Sequence, residues 1–167
     1  IANPNCSTII ALVAVYAIHA RNPVRRLLVS TYQAASGAGA QAMEELRTQA
    51  AEVLAGQPPT KKVFQHPIAF NLFSHNSKIG DDGYNEEEAK LSRETWKILH
   101  DDRIRIAATC VRVPVFRAHA ESIAIECEHP IAEEQAREWL RHASGVRVVD
   151  DRAANLFPMP LDASGQD

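Results

Sequence analysis

The sequence predicts one α+β domain in which a mixed β-sheet carries helices mainly on one face. Its 167 residues, 46% of them hydrophobic, suit a single domain with a core of its own. Apolar residues recur at helical spacing in several segments, and short β-branched segments stand between them. Two strands follow each other without a helix between them, which favours a mixed sheet. The other face of the sheet is expected to be used in dimerisation.

The N-terminal third contains two predicted helices with one strand between them. The first helix spans residues 7 to 20 and starts at the hydroxyls of Ser7 and Thr8. Its apolar run is much shorter than the roughly 20 residues that cross a bilayer, so we expect a buried helix. Residues 26 to 31 (RLLVST) form a predicted strand, and a turn of small residues leads into a helix at about 40 to 54.

The middle of the chain is predicted to be irregular over residues 57 to 84, where proline, asparagine, serine and glycine are frequent. An irregular segment of this length inside a compact domain is usually functional or interfacial. Asn85 is expected to cap the next helix, NEEEAKLSRETWKIL. The glutamates at its start and Lys97 near its end suit the helix dipole.

Beyond this helix the sequence predicts two strands, at residues 104 to 113 and 121 to 128. The second strand alternates apolar with more polar residues, so one of its faces is expected to be buried. A helix that opens at Pro130 follows. A last strand at 146 to 149 (VRVV) and a loop-like tail from 150 to 167 complete the prediction.

Composition limits the partners and the compartment. The net charge of -3, with both signs well mixed, gives no reason to expect nucleic acid or a membrane as a partner. The three cysteines have no CxxC spacing, which argues against a disulfide framework and a zinc ribbon, and no metal ion is expected. A reducing compartment such as the cytoplasm fits this cysteine usage, or a plastid if the source is a plant.

Cys6 is the first candidate catalytic residue. It stands immediately before a predicted helix, between Asn5 and Ser7, where backbone amides and the helix dipole favour the thiolate and could hold an oxyanion. The alternative is a small buried hydrophobic residue, which is what most free cysteines are, and position alone gives even odds. Cys110 and Cys127 lie inside predicted strands and are interpreted as core residues.

His119 and Arg112 are candidates of a weaker kind. His119 follows a proline-containing turn at the end of CVRVPVFRAH, and histidine is the usual acid or base near neutral pH, although a bland loop histidine is the commoner case. Arg112 has apolar neighbours in a strand, so its charge needs an anionic partner. A structural carboxylate is the commoner partner, and a substrate carboxylate held by two hydrogen bonds is the alternative.

Glu87, Lys90 and Gln33 complete the candidates. Glu87 and Lys90 are three residues apart and share one face of a helix, where a solvated ion pair is the default interpretation. Gln33 stands between a strand and a glycine-rich turn, where its amide could reach a ligand or serve the turn alone.

Taken together, these segments resemble one family. NPNCST, STYQAASGAGAQAMEEL, FNLFSHN, GYNEEEAKLSRETWKIL and CVRVPVFRAHAESI occur in this order in aspartate-β-semialdehyde dehydrogenases, and the likeness continues to DRAANLFPMPLD. It covers essentially the whole chain. NCST alone is a weak signal, because other phosphorylating aldehyde dehydrogenases have a similar cysteine loop.

The resemblance implies a reaction, the interconversion of aspartyl-β-phosphate and aspartate-β-semialdehyde with NADP(H), on the route to lysine, threonine and methionine. It implies that Cys6 attacks the acyl phosphate and forms a thioester that then accepts a hydride. His119 shuttles the proton as the thiohemiacetal collapses, and Gln33 orients the acyl group. Asn5 supports the cysteine loop and the oxyanion.

The same resemblance implies the substrate contacts. Arg112 holds the α-carboxylate, Glu87 meets the α-amino group, and Lys90 helps to bind phosphate. A small substrate with several charges needs fixed partners of this kind.

One departure from the family pattern is large. Members of the family place a dinucleotide-binding domain before the cysteine, whereas this chain begins at Ile1 and contains no GxGxxG after a strand. The expectation is therefore the catalytic and dimerisation part over residues 1 to 167, without its nucleotide-binding domain. By itself such a piece is expected to bind no cofactor tightly and to be inactive, while it still associates as a homodimer. The preference for NADP over NAD stays open.

Three other readings compete with this one. A non-catalytic homodimerisation module differs in having an unreactive Cys6. A related acyl-phosphate reductase of the N-acetyl-glutamyl-phosphate type is disfavoured by GYNEEEAK together with CVRVPVFRAH. A cysteine hydrolase would need His119 to activate Cys6 for attack by water, which the resemblance disfavours.

Overall fold

The computed structural model describes residues 3 to 166, which form two compact units. Unit 1 consists of the residues up to Ser30, Glu88–Ala108 and Glu121–Pro158. Unit 2 consists of Thr31–Glu87, Thr109–Ala120 and the residues from Met159 on.

The described chain contains both helices and strands, with β3 and β4 consecutive, and confirms the predicted α+β class. The helices are α1 (Cys6–His19), α2 (Ala40–Leu54), α3 (Glu86–Leu99), α4 (Glu133–Arg141) and α5 (Pro160–Ala163), with a 3-10 turn at Ala35–Ala38. The strands are β1 (Val24–Gln33), β2 (Phe73–Ser74), β3 (Arg105–Arg112) and β4 (Ala120–Cys127). They form a mixed open sheet of order β2-β3-β1-β4, in which β2 is antiparallel to β3 with Phe73 opposite Arg112.

The core of unit 1 forms where α1 and α3 pack against one face of the strands. Alternate strand residues point to the same face. The buried members of this cluster are Val15, Val24, Leu27, Val29, Leu91, Ile104 and Ala108. The strand residues between them, such as Ala107 and Ala124, are exposed. In unit 1 these two helices therefore cover one face of the strands and leave the other open, as predicted.

Helix α1 is only half buried, so the prediction of a buried helix is wrong for one of its sides. Ala11 and Val15 are 0% and 3% exposed, whereas Ile10 and Tyr16 are 41% and 59% exposed. The helix is apolar on all sides, but the strands and α3 cover just the side that faces them. Its cap also differs from the prediction, because the side chain of Asn5, rather than a hydroxyl, accepts the first free backbone N–H groups.

Two buried polar side chains of α2 hold the irregular segment in unit 2. Glu45 is 5% exposed and accepts backbone N–H groups from Lys62, Val63 and Phe64. Gln49 accepts from the backbone of Ile68 and Ala69 and donates to a backbone carbonyl. Apart from the two-residue strand β2, residues 57 to 84 are irregular, as predicted, and these side-chain bonds fix the backbone of residues 60 to 69 where it has no strand partner.

Three details of the C-terminal prediction are wrong. Residues 146 to 149 form no strand: a strand needs a paired neighbour, and the Val146 N–H instead bonds back to the carbonyl of Ala143. Helix α4 begins at Glu133 rather than Pro130, which places Glu133 and Glu134 in its first turn. The tail contains the short helix α5. Within residues 3 to 166, no helix combines the length and apolarity needed to span a membrane.

Candidate active site

Arg112 is the buried centre of a polar cluster in unit 2. It ends β3 and is 3% exposed. Its guanidinium donates to the carbonyl of Ala34 at 2.8 Å, to Nε2 of His75 at 2.8 Å and to Oδ1 of Asn76 at 3.3 Å. These acceptors are neutral groups that orient the guanidinium. A buried, oriented cation is suited to a carboxylate ligand.

His119 joins the same cluster through the backbone of Ala34. The Ala34 N–H donates to Nδ1 of His119 at 2.9 Å, so the proton of the neutral ring is on Nε2. Burial, followed by the Arg112 charge, lowers the pKa of His119, while Glu87 opposes this and His75 adds to it. The ring is therefore held neutral, with its Nε2–H available as a donor.

Gly37 lies against both of these side chains. A Cβ atom at this position would stand 2.9 Å from Cε1 and Nε2 of His119 and 3.1 Å from an amino nitrogen of Arg112. These distances are shorter than ordinary contacts, so the turn after β1 needs a residue without a side chain for the ring to reach its place. The glycine-rich pattern predicts a turn at Gly37, and the fold adds the close approach of the His119 ring.

Gln33 and Glu87 complete the cluster in unit 2. Both are buried, at 1% and 8% exposure. The amide nitrogen of Gln33 lies 3.5 Å from a carboxylate oxygen of Glu87, and the same oxygen lies 4.0 Å from Nε2 of His75. The structure thus brings together four residues that the sequence pointed to: Gln33, Glu87, Arg112 and His119.

The sequence reasoning missed His75, Asn76 and Ser77 as site residues. They belong to FNLFSHN, a quoted motif, but none of them was singled out from it. They line a cavity of about 460 Å³ together with Phe73 and Lys78. The signal that could have found them is a histidine beside serine and asparagine in an irregular segment that is long enough to be functional.

Cys6, Asn5 and Lys90 belong to unit 1. Cys6 is exposed and is the first residue of α1. The Asn5 side chain holds the next two N–H groups, and the Asn5 N–H donates to Glu94 at 2.8 Å. Lys90 is half-buried on α3, one turn beyond Glu87.

The other cysteines are core residues, as predicted. Cys110 is 0% exposed, and Cys127 is half-buried, with its pKa raised by burial. A raised pKa disfavours the reactive thiolate. Among the three cysteines, Cys6 alone therefore combines exposure with a helix start.

The residues described here do not fit a dinucleotide. No strand in residues 3 to 166 leads into a GxGxxG loop. The turn after β1 has two glycines, and the space next to Gly37 is filled by the side chains of His119 and Arg112. No residue of this chain is therefore assigned to a nicotinamide cofactor.

Taken together, unit 2 contains an oriented guanidinium, a carboxylate, an amide and a neutral histidine. This set can hold a small zwitterion and donate a proton to a polarised oxygen. A family model described as "Semialdehyde dehydrogenase, dimerisation domain" matches residues 16–167. The chain belongs to this family.

The curated relatives carry one activity in their names. The aspartate-semialdehyde dehydrogenase of Synechocystis is 51% identical over the whole chain, and that of Aquifex aeolicus is 49% identical. The crystal structure of aspartate semialdehyde dehydrogenase II from Vibrio cholerae, complexed with ASA, matches 100% of this chain at 41% identity with a TM-score of 0.95. The chain covers 49% of each of these three proteins, so it spans about half of their length.

Proposed function

We propose that this chain is the catalytic and dimerisation half of an NADP(H)-dependent enzyme that interconverts aspartyl-β-phosphate and aspartate-β-semialdehyde. The observation that carries the proposal is the cluster of Gln33, Glu87, Arg112 and His119 in a chain of this family. The relative from Vibrio cholerae, described as complexed with ASA, supports the substrate class.

The covalent step belongs to Cys6. Its thiolate attacks the acyl carbon of aspartyl-β-phosphate, so a carbon–sulfur bond forms, the bond from carbon to the phosphate oxygen breaks, and phosphate leaves with the electron pair. Exposure at the first turn of α1 supports this role, since the substrate has to reach the attacking sulfur atom. Asn5 keeps the turn in place. A bound nicotinamide cofactor would supply the hydride for the reductive half of the reaction.

The substrate is held by charges of opposite sign. The guanidinium of Arg112 takes the α-carboxylate, and the carboxylate of Glu87 takes the α-amino group. Gln33, beside Glu87, orients the acyl group. Lys90 helps to bind phosphate. Fixed partners of this kind place the acyl carbon and avoid paying for orientation during the reaction.

His119 handles the proton at the acyl oxygen. Its Nδ1 is already occupied by the Ala34 N–H, so Nε2 presents the hydrogen. This hydrogen supports the oxyanion of the thiohemiacetal, and the ring shuttles the proton as the aldehyde forms. The lowered pKa of His119 keeps the ring neutral near pH 7.

The cofactor, the oligomeric state and the compartment complete the proposal. A nucleotide-binding domain of the kind that the family places before the cysteine would hold the cofactor, and residues 1 to 167 alone would bind no nicotinamide tightly and would be inactive. The homodimer forms through the open face of the sheet. The cytoplasm is the proposed compartment, because the chemistry needs a reduced cysteine.

The test compares substitutions of two cysteines. It uses a protein of the same length as the relatives, which includes residues 1 to 167. With aspartate-β-semialdehyde, phosphate and NADP, Cys6→Ser is expected to lower the rate of NADPH formation at least about 1,000-fold, while Cys127→Ser changes it less than about threefold. Peptide mass spectrometry after stoichiometric alkylation should find Cys6 labelled before Cys110 and Cys127.

The competing readings predict different results. A non-catalytic module gives no substrate-dependent NADPH formation, and its cysteines label alike or only after unfolding. An N-acetyl-glutamyl-phosphate reductase prefers the longer acylated semialdehyde. A cysteine hydrolase releases aspartate from an ester without forming NADPH.

A further inference from the structure

His75 lies between the two side chains that are proposed to hold the substrate's charges. Its Nε2 is 2.8 Å from an amino nitrogen of Arg112 and 4.0 Å from a carboxylate oxygen of Glu87. The backbone is fixed as well, because the His75 N–H donates to the carbonyl of Cys110 on β3 at 2.9 Å. The side chain is 12% exposed. The side chain and the backbone of His75 are therefore both held in place within the cluster.

The contact with Arg112 decides the tautomer of His75. A guanidinium can only donate and does not deprotonate in proteins, so Nε2 of His75 must accept. The ring proton is then on Nδ1, from which the Oγ of Ser77 lies 3.1 Å away. This excludes the alternative contact, in which the Ser77 N–H at 3.3 Å would donate to the same Nδ1.

A chain of hydrogen bonds connects the start of α3 with the guanidinium. The Glu87 N–H donates to the Oγ of Ser77 at 3.3 Å, Ser77 accepts from Nδ1 of His75, and Nε2 accepts from Arg112. These bonds connect the backbone of Glu87, whose carboxylate is proposed to meet the amino group, with the guanidinium of Arg112, which is proposed to hold the α-carboxylate. The position of each group relative to the other is thereby fixed. Such support sets the geometry of binding groups on different elements.

We propose that neutral His75 is a positioning residue that fixes the orientation of Arg112 for the substrate's α-carboxylate. The inference rests on the proposed function and adds the residue that sets specificity at this end of the site. His75 acts through Arg112 and need not touch the substrate. Its acceptor atom is the property that matters, and a neutral amide of similar reach provides the same property.

Protonation of His75 removes this acceptor. The imidazolium would present an N–H to the guanidinium and a second positive charge to Arg112 and His119, while Glu87 would favour the charged ring. His66 and Lys78 line the same cavity and add to the repulsion when charged. Acid is therefore expected to weaken binding of the substrate carboxylate by turning Arg112 away.

The kinetic test uses the full-length protein and the variants His75→Leu, His75→Gln and His66→Leu. His75→Leu should raise KM for aspartate-β-semialdehyde about tenfold, with kcat and KM for phosphate changed less than about threefold. His75→Gln should stay within about threefold of the unsubstituted protein. His66→Leu, the same change at another histidine of the cavity wall, should leave KM unchanged. Equal losses in His75→Leu and His75→Gln, or a loss in kcat alone, overturn the proposal.

The pH profile separates positioning from packing. In the unsubstituted protein KM for the semialdehyde should rise on acidification, as His75 gains its second proton, and in His75→Gln this rise should disappear. Persistence of the same rise in His75→Gln contradicts the proposal. Thermal unfolding of each variant checks that it is folded.

A measurement without turnover keeps the two proposals distinguishable. Long-range ¹H–¹⁵N spectra of the ¹⁵N-histidine-labelled protein should show a neutral Nδ1–H tautomer for the resonance that is lost in His75→Gln. An Nε2–H tautomer overturns the positioning role, whether or not the protein is active. If the tautomer is as expected and the unsubstituted protein does not turn over the semialdehyde, the proposed function fails and the substrate part of this inference fails with it.

Discussion

At the scale of single residues, the site depends on side chains that are present and on one that is absent. Arg112 and His119 are oriented by hydrogen bonds to the backbone of Ala34, and His75 is oriented by its contacts with the guanidinium of Arg112 and the Oγ of Ser77. Gly37 leaves the room in which the His119 ring stands. The polar side chains and the missing side chain at Gly37 thus belong to one arrangement. Substitutions at either kind of position can be tested by their effect on stability as well as on activity.

Gly37→Ala is expected to displace the His119 ring, since the new Cβ would stand 2.9 Å from two of its atoms. The expected cost is about 1–3 kcal/mol in the free energy of unfolding, the range for inserting an atom into a filled space. Urea unfolding measures it. In a His119→Ala background the same substitution should cost less than half as much, and an unchanged cost would show that the strain is elsewhere.

Glu121, at the start of β4, links stability to pH. Both of its carboxylate oxygens are buried, without a hydrogen-bond partner among the described residues, and burial raises its pKa from 4.5 to about 7. Between these values the folded state binds more protons than the unfolded state. The stability that protonated Glu121 contributes is therefore complete below about pH 4.5 and is lost as pH rises through about 7.

Glu121→Gln imitates the protonated side chain at every pH. It is expected to raise the free energy of unfolding by about 1–2 kcal/mol at pH 8 and to change it little at pH 4.5. Denaturant unfolding at the two pH values measures the difference. Glu44→Gln, at an exposed carboxylate, is the control, and its effect on the free energy of unfolding should be the same at both pH values. A gain of equal size at both pH values would point to packing rather than titration.

At the scale of elements, helices α2 and α3 follow the predicted pattern closely, because apolar spacing and end signals are local properties of the chain. Strand formation depends on neighbours. This is why residues 146 to 149 were wrongly assigned and why the two-residue β2, whose pairing depends on β3, was not foreseen. The site divides in the same way: Arg112 was found because a charge among apolar strand residues needs a partner, whereas His75, in the quoted motif FNLFSHN, is distinguished from the other histidines only by its contact with Arg112 in the fold.

The spacing of apolar residues in α2 does not predict that a polar side chain of this helix is buried. Glu45 is buried because three backbone N–H groups of the irregular segment need an acceptor. Glu45→Ala is expected to lower the free energy of unfolding by about 2–4 kcal/mol, since buried donors are left unpaired. Glu44→Ala, the exposed neighbour, should cost less than about 0.5 kcal/mol. Amide hydrogen exchange should become faster at residues 62 to 64 in Glu45→Ala and not in Glu44→Ala. A uniform change along the chain would contradict the role of Glu45 in holding these residues.

At the scale of the whole molecule, the open face of the strands in unit 1 is the surface that we propose for the dimer interface. Its exposed residues include Ala107 and Ala124, beside the ion pairs that Glu126 makes with Arg26 and Arg105. Small side chains on a strand face allow close approach of a second sheet. The family name includes dimerisation, and α1 offers a competing apolar surface through Ile10 and Tyr16.

Ala107→Arg is expected to convert the dimer into a monomer, because a long charged side chain in the centre of the open face holds a second sheet away and leaves an unpaired charge in the interface. Sedimentation velocity at micromolar concentration measures the state. Glu134→Arg on the exposed side of α4 is the control and should leave the dimer intact. If Ala107→Arg stays dimeric while Tyr16→Arg is monomeric, the interface is on α1 rather than on the sheet. The open strand face of unit 1 would then lie outside the dimer interface.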